Sequence, residues 1–292
     1  MKGDNDTNKE FENTLFVTDL DGTLFDKKPV LSDECVDNIR KLNSEGVKIT
    51  FSTARTYRTV DRILEDVPVP YPVSLMNGTM IRDIKKCMTI DVKRIPDAIA
   101  DAAGKAFLAS GTLPLVYRYK NGEMLTYYSE ISGDNMKSFI DERRTVFGKP
   151  FIRVSEDELF KTGPESLGEI IYFCAIVGNG EGKELLNRLN DVKNVCMTSY
   201  KDNASDSRYV EIYSTEASKK NAVLDLMRIT GADRIISFGD NLNDLPMFEV
   251  SDLCFAVSGS PDTVISRADG LVGSPSECGV TKKIAEITGI RL

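Results

Sequence analysis

The sequence predicts an α/β protein whose parallel-sheet core is split by a mixed α/β insert. Strand-like and helical patterns alternate over residues 15–82, which is typical of a parallel sheet with helical crossovers. The pattern changes after Arg82, and the first pattern returns over residues 219–288. A length of 292 residues also favours two domains over a single core. The predicted boundaries are 14–82 and 214–292 for the core, 83–213 for the insert, and 1–13 for a flexible tail.

The first part of the core alternates strand and helix. The apolar run Leu15–Thr18 predicts a buried strand that ends in an acidic turn. Helical spacing follows over residues 32–44, with Ser32 as the expected N-cap and Gly46 just beyond the end. The next predicted strand, helix and strand are Val47–Phe51, Thr56–Leu64 and Val73–Met76.

Strand and helix patterns can also be identified in the insert and in the second part of the core. Turn residues between two strand-like runs predict a hairpin at Leu115–Tyr119 and Glu123–Tyr128, and a strand at Tyr209–Tyr213 is expected to close the insert. Helical patterns in the insert are predicted at Ile95–Ser110, Asn135–Phe147, Ile170–Val177 and Gly182–Leu189. The returning core pattern predicts a helix at Lys219–Thr230, strands at Arg234–Phe238 and Leu253–Val257, and a helix at Thr281–Thr288.

The charge balance disfavours two classes of partner. The chain has 37 basic and 45 acidic residues, a formal net charge of −8. Such a chain repels nucleic-acid backbones and anionic membrane surfaces. No stretch approaches the roughly 20 apolar residues that a membrane helix needs. We therefore expect a cytoplasmic protein, monomeric or weakly homo-oligomeric, that binds neither nucleic acid nor membranes.

The absence of histidine restricts the chemistry. Without histidine the chain cannot build a Ser-His-Asp triad, a Cys-His pair or a His-ligated zinc site. The six cysteines form no CxxC pair, so we expect reduced thiols and no disulfide framework. Any hydrolysis by this chain must therefore depend on carboxylates, lysine and a hard metal ion.

The strongest chemical signal is the acidic turn after the first strand. Asp19 and Asp21 are two residues apart, and Gly22 allows the backbone to turn close to a ligand. Two carboxylates this close repel each other unless a cation bridges them or one is protonated. Both states suit phosphoryl transfer, with one ionised Asp as nucleophile and one protonated Asp as acid. The alternative is an acidic turn that merely caps a strand.

A second acidic turn follows a later strand. Asp240 and Asp244 offer the oxygen ligands that Mg²⁺ prefers. Taken alone, this segment could be a solvated turn rich in Asn and Asp. Because the carboxyl ends of parallel strands gather at one edge of a sheet, we expect the two acidic turns to lie together.

Two further positions could contact a phosphate group. Thr53 ends the second strand, where its hydroxyl and nearby amides could hold phosphate oxygens, although a simple helix cap is the plainer alternative. Lys219 begins a helix and could neutralise phosphate and nucleophile together. Lys220 is adjacent, and a solvated lysine pair is the ordinary interpretation.

The order of these segments resembles the four motifs of the haloacid dehalogenase-like (HAD) superfamily. The matching segments are DLDGT at 19–23, the strand ending in Thr53, the lysine at 219 and GDNLND at 239–244. The chain is similar in particular to Cof-type phosphatases of subfamily IIB. Further similarities lie at 52–55, 76–78, 211–219, 268–269 and 277–280. The resemblance implies a Rossmann-like core and an α/β cap, inserted between the second and third motifs, that governs substrate specificity.

The resemblance implies a role for each acidic residue. Asp19 would be the nucleophile and become an aspartyl phosphate, and Asp21 would be the acid and base. Mg²⁺ would be the cofactor, held by the Asp19 carboxylate, the Asp21 backbone carbonyl and Asp240. Asp244 would support the metal ligands without being one of them.

The resemblance also implies a phosphate-binding set. Thr53, the Ala54 amide and Lys219 would hold the transferring oxygens, with help from Asn243. Two positions depart from the family pattern. Ala54 replaces the usual glycine, and Lys220 replaces the glycine that often follows the motif lysine, so that either lysine could face inward; we favour Lys219.

The implied activity is Mg²⁺-dependent hydrolysis of a small phosphorylated metabolite. A sugar phosphate is the first expectation, with flavin mononucleotide or pyridoxal phosphate behind it. A phosphomutase acting on hexose or mannose phosphates would use the same first step and return the phosphoryl group to sugar. A non-catalytic protein that binds a phosphorylated metabolite is the alternative from another class, although it would not need a nucleophile and acid pair.

Overall fold

The computed structural model describes residues 11, 13–26, 29–131, 133–178, 181–201 and 207–292, apart from the side chains at 181 and 201. The tail predicted at 1–13 lies outside the described residues except at positions 11 and 13. The chain forms two compact units. Unit 1 extends to Asp91 and resumes at Ser218–Leu292, and unit 2 is Val92–Ala217.

The described residues form strands and helices that are numbered in chain order. The strands are β1 (Thr14–Thr18), β2 (Lys48–Phe51), β3 (Val73–Leu75), β4 (Met80–Asp83), β5 (Met88–Val92), β6 (Leu115–Lys120), β7 (Glu123–Tyr128), β8 (Phe151–Arg153), β9 (Glu169–Gly178), β10 (Val195–Lys201), β11 (Ser207–Ser214), β12 (Arg234–Gly239), β13 (Leu253–Val257) and β14 (Gly270–Val272). The helices are α1 (Asp33–Ser44), α2 (Tyr57–Ile63), α3 (Asp97–Ser110), α4 (Gly133–Phe147), α5 (Glu156–Phe160), α6 (Glu181–Leu189), α7 (Lys219–Thr230), α8 (Leu245–Phe248), α9 (Asp262–Ile265) and α10 (Gly279–Thr288).

The main sheet of unit 1 is parallel, which confirms the predicted fold class. Its described strands have the order β14-β13-β12-β1-β2, so β1 lies between β12 and β2. Phe16 in β1 pairs with Ile236 on one side and with Ile49 on the other. Every residue of β1 is buried, as a strand covered on both faces requires. This order places the carboxyl ends of β1 and β12 next to each other.

Serine side chains cap the start of two helices of unit 1, and the first of these caps, Ser32, was predicted from the sequence. The Ser32 hydroxyl accepts from the backbone N–H of Cys35 at the start of α1, and the Ser218 hydroxyl does the same for Asn221 at the start of α7. Helix α7 ends at Gly231, which adopts the left-handed conformation that favours glycine. The start of α7 is therefore fixed at Lys219.

A small sheet explains why unit 1 extends beyond the predicted boundary. Strands β3, β4 and β5 form a sheet of their own in that order within the described residues. Because β5 is hydrogen-bonded to β4, the chain stays with unit 1 until Asp91 rather than leaving it at Arg82. At the other boundary, β11 continues to Ser214 and the buried Ala217 still belongs to unit 2.

Unit 2 is built on one mixed sheet. Its described strands have the order β10-β11-β9-β6-β7-β8, antiparallel throughout except for the parallel pair β7 and β8. Helices α3 and α6 supply Phe107 and Leu185 to a buried cluster with Phe173 and Val210 from the sheet. This cluster is the hydrophobic core of the unit.

The helix predicted at Ile170–Val177 is wrong. These residues belong to β9, which lies between β11 and β6, and the whole run is buried. A strand covered on both faces is apolar at every position, so the alternation that marks a half-exposed strand is absent. Strands β8, β10 and β14 were not predicted from the sequence. Each cysteine lies within the described chain as a free thiol, and no described helix has the length and hydropathy that crossing a membrane demands.

Candidate active site

Two acidic turns meet at the carboxyl ends of β1 and β12. Thr18, the last residue of β1, pairs with Phe238, and the backbone N–H of Asp19 donates to the Phe238 carbonyl over 3.0 Å. Asp240 follows directly after β12. Carboxylate oxygens of Asp19, Asp240 and Asp244 lie within 4.8 Å of one another. The sheet order thus brings together carboxylates that are distant in sequence.

Lys219 joins two of these carboxylates. Its Nζ donates to Asp19 Oδ1 over 2.5 Å and to Asp244 Oδ1 over 2.6 Å. The lysine is the first residue of α7, and its side chain is 1% exposed. The Ser218 cap that starts α7 therefore also aims this side chain into the acidic cluster.

Lys220 has a different environment. Its side chain is 43% exposed, and its Nζ lies 3.3 Å from the exposed carboxylate of Glu249. Of the two neighbouring lysines, Lys219 faces the cluster and Lys220 faces solvent.

Gly22 lets the first acidic turn pack against the second. It has a φ of 79°, and a Cβ at this position would lie 2.3 Å from Asp240 Oδ2. Its backbone N–H donates to the Phe25 carbonyl and so closes the turn. The next residue, Thr23, donates its hydroxyl to Asp240 Oδ1 over 2.9 Å. The turn therefore fixes the Asp240 carboxylate through both close packing and a hydrogen bond.

Asp244 is fully buried, and both of its carboxylate oxygens have partners. Oδ1 accepts from Lys219, while Oδ2 accepts from the backbone N–H groups of Asp240 and Asn241 over 2.9 and 3.0 Å. Asp244 thus holds the turn that carries Asp240 and orients the lysine that contacts Asp19.

The three carboxylates lie close to a single ammonium group, which contacts only Asp19 and Asp244. Burial raises the pKa of Asp19 well above its ordinary value of 3.8, against the attraction of Lys219, and the neighbouring Asp244 and Asp240 add to the rise. Burial and then the charge of Asp244 raise the pKa of Asp240 to about 6, although the Thr23 hydroxyl lowers it. Burial opposes the charge on Lys219, yet Asp19 and Asp244 raise its pKa above the ordinary 10.5.

The donor set fits a divalent cation. Three carboxylates and one ammonium carry two negative charges in excess when all four groups are ionised, and the raised pKa values of Asp19 and Asp240 reflect this crowding. All three acidic groups offer oxygen, the donor that Mg²⁺ prefers, and histidine and thiolate donors are absent from the cluster among the described residues. A cation bound here would relieve the repulsion that burial imposes.

The other predicted phosphate contacts lie on two nearby segments. Thr53 is buried just after β2; its backbone N–H donates to the Ser74 carbonyl, and its hydroxyl accepts from the backbone N–H of Arg55. Ala54 is half-buried, and it is not among the described residues with positive φ, so the backbone at this position does not require glycine. Asn243 is half-buried in the turn Leu242–Asp244.

Asp21 stands apart from the oxygen cluster. Its carboxylate accepts two hydrogen bonds from Arg55, from Nε over 2.7 Å and from the terminal nitrogen Nη2 over 2.6 Å. The side chain of Asp21 is 49% exposed, and that of Arg55 is 22% exposed. No role was predicted for Arg55 from the sequence, although this residue directly follows the predicted phosphate contacts Thr53 and Ala54.

The Asn77-Gly78 turn packs against two segments of the site. The backbone N–H of Asn77 donates to the Thr53 carbonyl over 3.1 Å. Gly78 has a φ of 92°, and a Cβ there would lie 2.3 Å from the carbonyl oxygen of Ser218. One turn therefore contacts both the segment that carries Thr53 and the residue that caps α7.

Known proteins resemble this chain over nearly all of its length. The family model of haloacid dehalogenase-like hydrolases matches residues 16–284. Phosphatase YwpJ of Bacillus subtilis is 26% identical, covering 91% of this chain and 96% of the relative. The 5-amino-6-(5-phospho-D-ribitylamino)uracil phosphatase YwtE of the same organism is 25% identical, covering 92% and 96%.

A solved structure shares the fold. The structure of the HAD subclass IIB sugar phosphatase BT4131 superimposes with a TM-score of 0.72 at 17% identity, covering 94% of this chain and 98% of that one. The two acidic turns and the lysine between them lie within the residues that the family model matches. The chain belongs to the haloacid dehalogenase-like hydrolase family and is a phosphatase.

Proposed function

We propose that this phosphatase hydrolyses the phosphate monoester of a small polyhydroxylated metabolite, a sugar phosphate first of all, with Mg²⁺ as cofactor. The contact between Lys219 and Asp19, beside the oxygen cluster that includes Asp240, carries the proposal. It supplies an anionic oxygen for attack on phosphorus and a positive group for the transferring oxygens.

Oxygen atoms of three residues would bind the Mg²⁺ ion. The carboxylates of Asp19 and Asp240 and the backbone carbonyl of Asp21 would hold Mg²⁺, and Asp244 would keep this arrangement in place. When bound, Mg²⁺ would neutralise negative charge on the phosphoryl group and on the nucleophile.

The first half-reaction transfers the phosphoryl group to Asp19. Lys219 contacts Oδ1 of Asp19, which leaves Oδ2 to attack phosphorus. A bond forms between this oxygen and phosphorus while the bond from phosphorus to the leaving oxygen breaks, and Asp21 gives its proton to that oxygen. Lys219, Thr53, the Ala54 amide and Asn243 stabilise the phosphoryl oxygens.

The second half-reaction releases phosphate. Asp21, now without its proton, takes one from a water molecule that attacks phosphorus. The bond between Asp19 and phosphorus breaks, so that inorganic phosphate leaves and the Asp19 carboxylate is restored. Asp21 ends with the proton that it donated in the first step, and the cycle is balanced.

The chemistry of the relatives' substrates supports a polyol phosphate. YwtE is named for a substrate whose phosphate is carried by a ribityl chain, and BT4131 is a sugar phosphatase. Both names describe a phosphate ester on a polyhydroxylated carbon chain. We further propose that unit 1 carries the chemistry, that unit 2 sets substrate choice, and that the enzyme acts in the cytoplasm as a monomer or weak homo-oligomer.

Release of inorganic phosphate tests the proposal. A panel of sugar phosphates, polyol phosphates, flavin mononucleotide and pyridoxal phosphate is incubated with the enzyme, with Mg²⁺ or with a chelator. We expect Mg²⁺-dependent release from sugar or polyol phosphates, lost in Asp19→Asn and kept in Asp37→Asn, which changes an exposed aspartate on α1. Equal release by Asp19→Asn and the unaltered enzyme would refute the nucleophile.

Product analysis decides between a phosphatase and a mutase. Phosphorus NMR of the same incubations distinguishes inorganic phosphate from an isomeric sugar phosphate. The proposal requires inorganic phosphate as the main product, and an accumulating isomeric ester would assign the phosphoryl group to sugar instead of water.

A further inference from the structure

Arg55 holds the carboxylate of Asp21 with a two-pronged contact inside unit 1. Its two nitrogens reach the two oxygens of Asp21 over 2.7 and 2.6 Å. A planar guanidinium matches a carboxylate in this way, and such a pair fixes direction as well as distance. The contact is therefore a specific means of orienting Asp21.

The backbone of Arg55 is held on both sides. Its N–H donates to the hydroxyl of Thr53 over 3.2 Å, and its carbonyl accepts from the N–H of Met76 over 3.0 Å. Met76 belongs to the turn Met76–Gly78, whose backbone departs from regular structure. The guanidinium thus extends from a fixed point of the main chain.

Asp21 has a fixed backbone and a half-exposed side chain. Its turn is closed by a bridge to Phe25, but about half of its side chain is open to solvent. Without Arg55, such a side chain would distribute over several rotamers. A carboxylate has about four lone-pair positions, of which the two contacts from Arg55 occupy two, so the group keeps positions for a proton or a leaving oxygen.

We propose that Arg55 is a positioning residue that aims Asp21 at the leaving oxygen. This inference rests on the proposed function, because it presupposes that Asp21 transfers protons there. Arg55 acts through Asp21 and needs no contact with the phosphoryl group. It therefore matters most for substrates whose leaving oxygen must be protonated as it departs.

Two aryl phosphates separate proton donation from phosphate binding. Phenyl phosphate releases a basic phenolate, which needs a proton, whereas 2,4-dinitrophenyl phosphate releases an anion that is stable without one. We expect Arg55→Ala to lower kcat/KM about 10- to 100-fold for phenyl phosphate, a part of what general acid catalysis contributes, and less than about 3-fold for the dinitrophenyl ester. Since kcat/KM reports the steps up to phosphoryl transfer, slow hydrolysis of the aspartyl phosphate does not disturb the comparison.

Two further variants and a chemical rescue make the test more specific. Arg62→Ala removes an exposed arginine of α2, the helix that begins two residues after Arg55, and should leave both values unchanged. Arg55→Lys keeps the charge without the planar fork, so it should retain most of the phenyl phosphate defect. Added guanidinium should restore part of the loss in Arg55→Ala.

A double-mutant cycle tests whether Arg55 acts through Asp21. In the Asp21→Asn background, adding Arg55→Ala should cost little more on phenyl phosphate, because the group that Arg55 aims is already disabled. Full additivity of the two losses would overturn the inference.

Two other outcomes would overturn the role proposed for Arg55. Equal losses on both esters would assign Arg55 to phosphate binding or folding, and a gain in activity would mean that the pair restrains Asp21 instead of aiming it; either overturns the inference. The proposed function fails on a separate result, namely phosphate release that persists in Asp19→Asn.

Discussion

Gly22 and Asp240 approach so closely that the site admits no side chain at position 22. A Cβ there would lie 2.3 Å from Asp240 Oδ2, and the φ of Gly22 is 79°. The two acidic turns are thus joined by contact as well as by their place in the sheet. The geometry of the candidate metal site depends on this contact.

Gly22→Ala should therefore impair activity more than stability. The left-handed backbone costs an alanine about 1–2 kcal/mol of folding free energy, and the new methyl group must displace the Asp240 carboxylate. We expect phosphatase activity to fall about 10- to 100-fold, the range seen when the groups that support a metal ligand are disturbed. Urea unfolding and phosphate release measure the two effects.

Gly46→Ala is the matched control for this substitution. Gly46 also has a positive φ, of 86°, but a Cβ there would meet nothing within 4 Å. Gly46→Ala should therefore lose only the folding free energy that a left-handed backbone costs an alanine, and it should keep full phosphatase activity. Equal activity in the two variants would contradict the role given to the contact between Gly22 and Asp240.

Lys219→Met should destabilise the protein strongly when metal is removed. The substitution leaves Asp19 and Asp244 buried without their shared cation. Removing one partner of a buried ion pair typically costs about 3–5 kcal/mol. Urea unfolding with a chelator present measures this loss, and Lys220→Met, on the exposed neighbour, should change stability by less than about 0.5 kcal/mol.

The pH dependence of stability should reveal the raised pKa of Asp240. Its folded-state pKa of about 6 exceeds the ordinary 3.8, so between these values the folded protein holds a proton that the unfolded chain has lost. In the metal-free protein this group therefore stabilises the fold below about pH 4 and loses that contribution as pH rises through about 6.

Asp240→Asn isolates this effect. In chelator, the variant should gain stability relative to the unaltered protein as pH rises across that window, and saturating Mg²⁺ should abolish the gain, because the ion binds the ionised carboxylate. Urea midpoints at several pH values measure it. A stability difference that does not change with pH would contradict the assignment.

Arg118 should be essential for the stability of unit 2. Its guanidinium is almost completely buried and donates to the carbonyls of Gly168, Leu159 and Lys161. Burial lowers its pKa to about 10. Arg118→Met would remove the guanidinium donor from all three carbonyls, although Gly168 would still accept from the Ser166 hydroxyl. We expect the loss to cost at least about 2 kcal/mol.

Arg188→Met supplies the comparison for Arg118. Arg188 pairs with Glu184 on an exposed face of α6, and such a pair contributes about 0.5 kcal/mol or less. Urea unfolding of the two variants should therefore differ clearly. Similar midpoints would mean that water replaces the donors that Arg118 provides.

The meeting of the two acidic turns could be predicted from the sequence. Asp19 and Asp240 each follow a buried apolar run, and runs of this kind in a strand and helix alternation form parallel sheets. Their carboxyl ends then share one edge, whatever the distance along the chain. The prediction needed no side-chain geometry.

The strand β9 could not be predicted by the same reasoning. Ile170–Val177 is apolar at every position, and a continuous run does not distinguish a doubly covered strand from a buried helix. Its Ile and Val residues were the available signal, since β-branched side chains favour strands. Strand β10 was missed because Val195–Lys201 mixes polar and apolar residues near the edge of the sheet.

The details of the site required coordinates. Adjacent residues of a helix point in different directions. The position at which α7 begins therefore determines whether Lys219 or Lys220 faces inward. The pairing of Arg55 with Asp21 joins two separate turns, so no local pattern marks it. The reactive groups could be predicted from the sequence. The contacts that orient them, such as that of Arg55 with Asp21, depend on the fold.

Locating the phosphoryl group during turnover tests the central claim most directly. The enzyme is mixed with Mg²⁺ and a substrate from the panel, quenched in acid within the first turnover, digested and analysed by mass spectrometry. We predict a phosphoryl group on Asp19 that forms and decays with turnover and is absent from Asp19→Asn. Phosphate release without any phosphorylated Asp19, or with the group on another residue, would contradict the account.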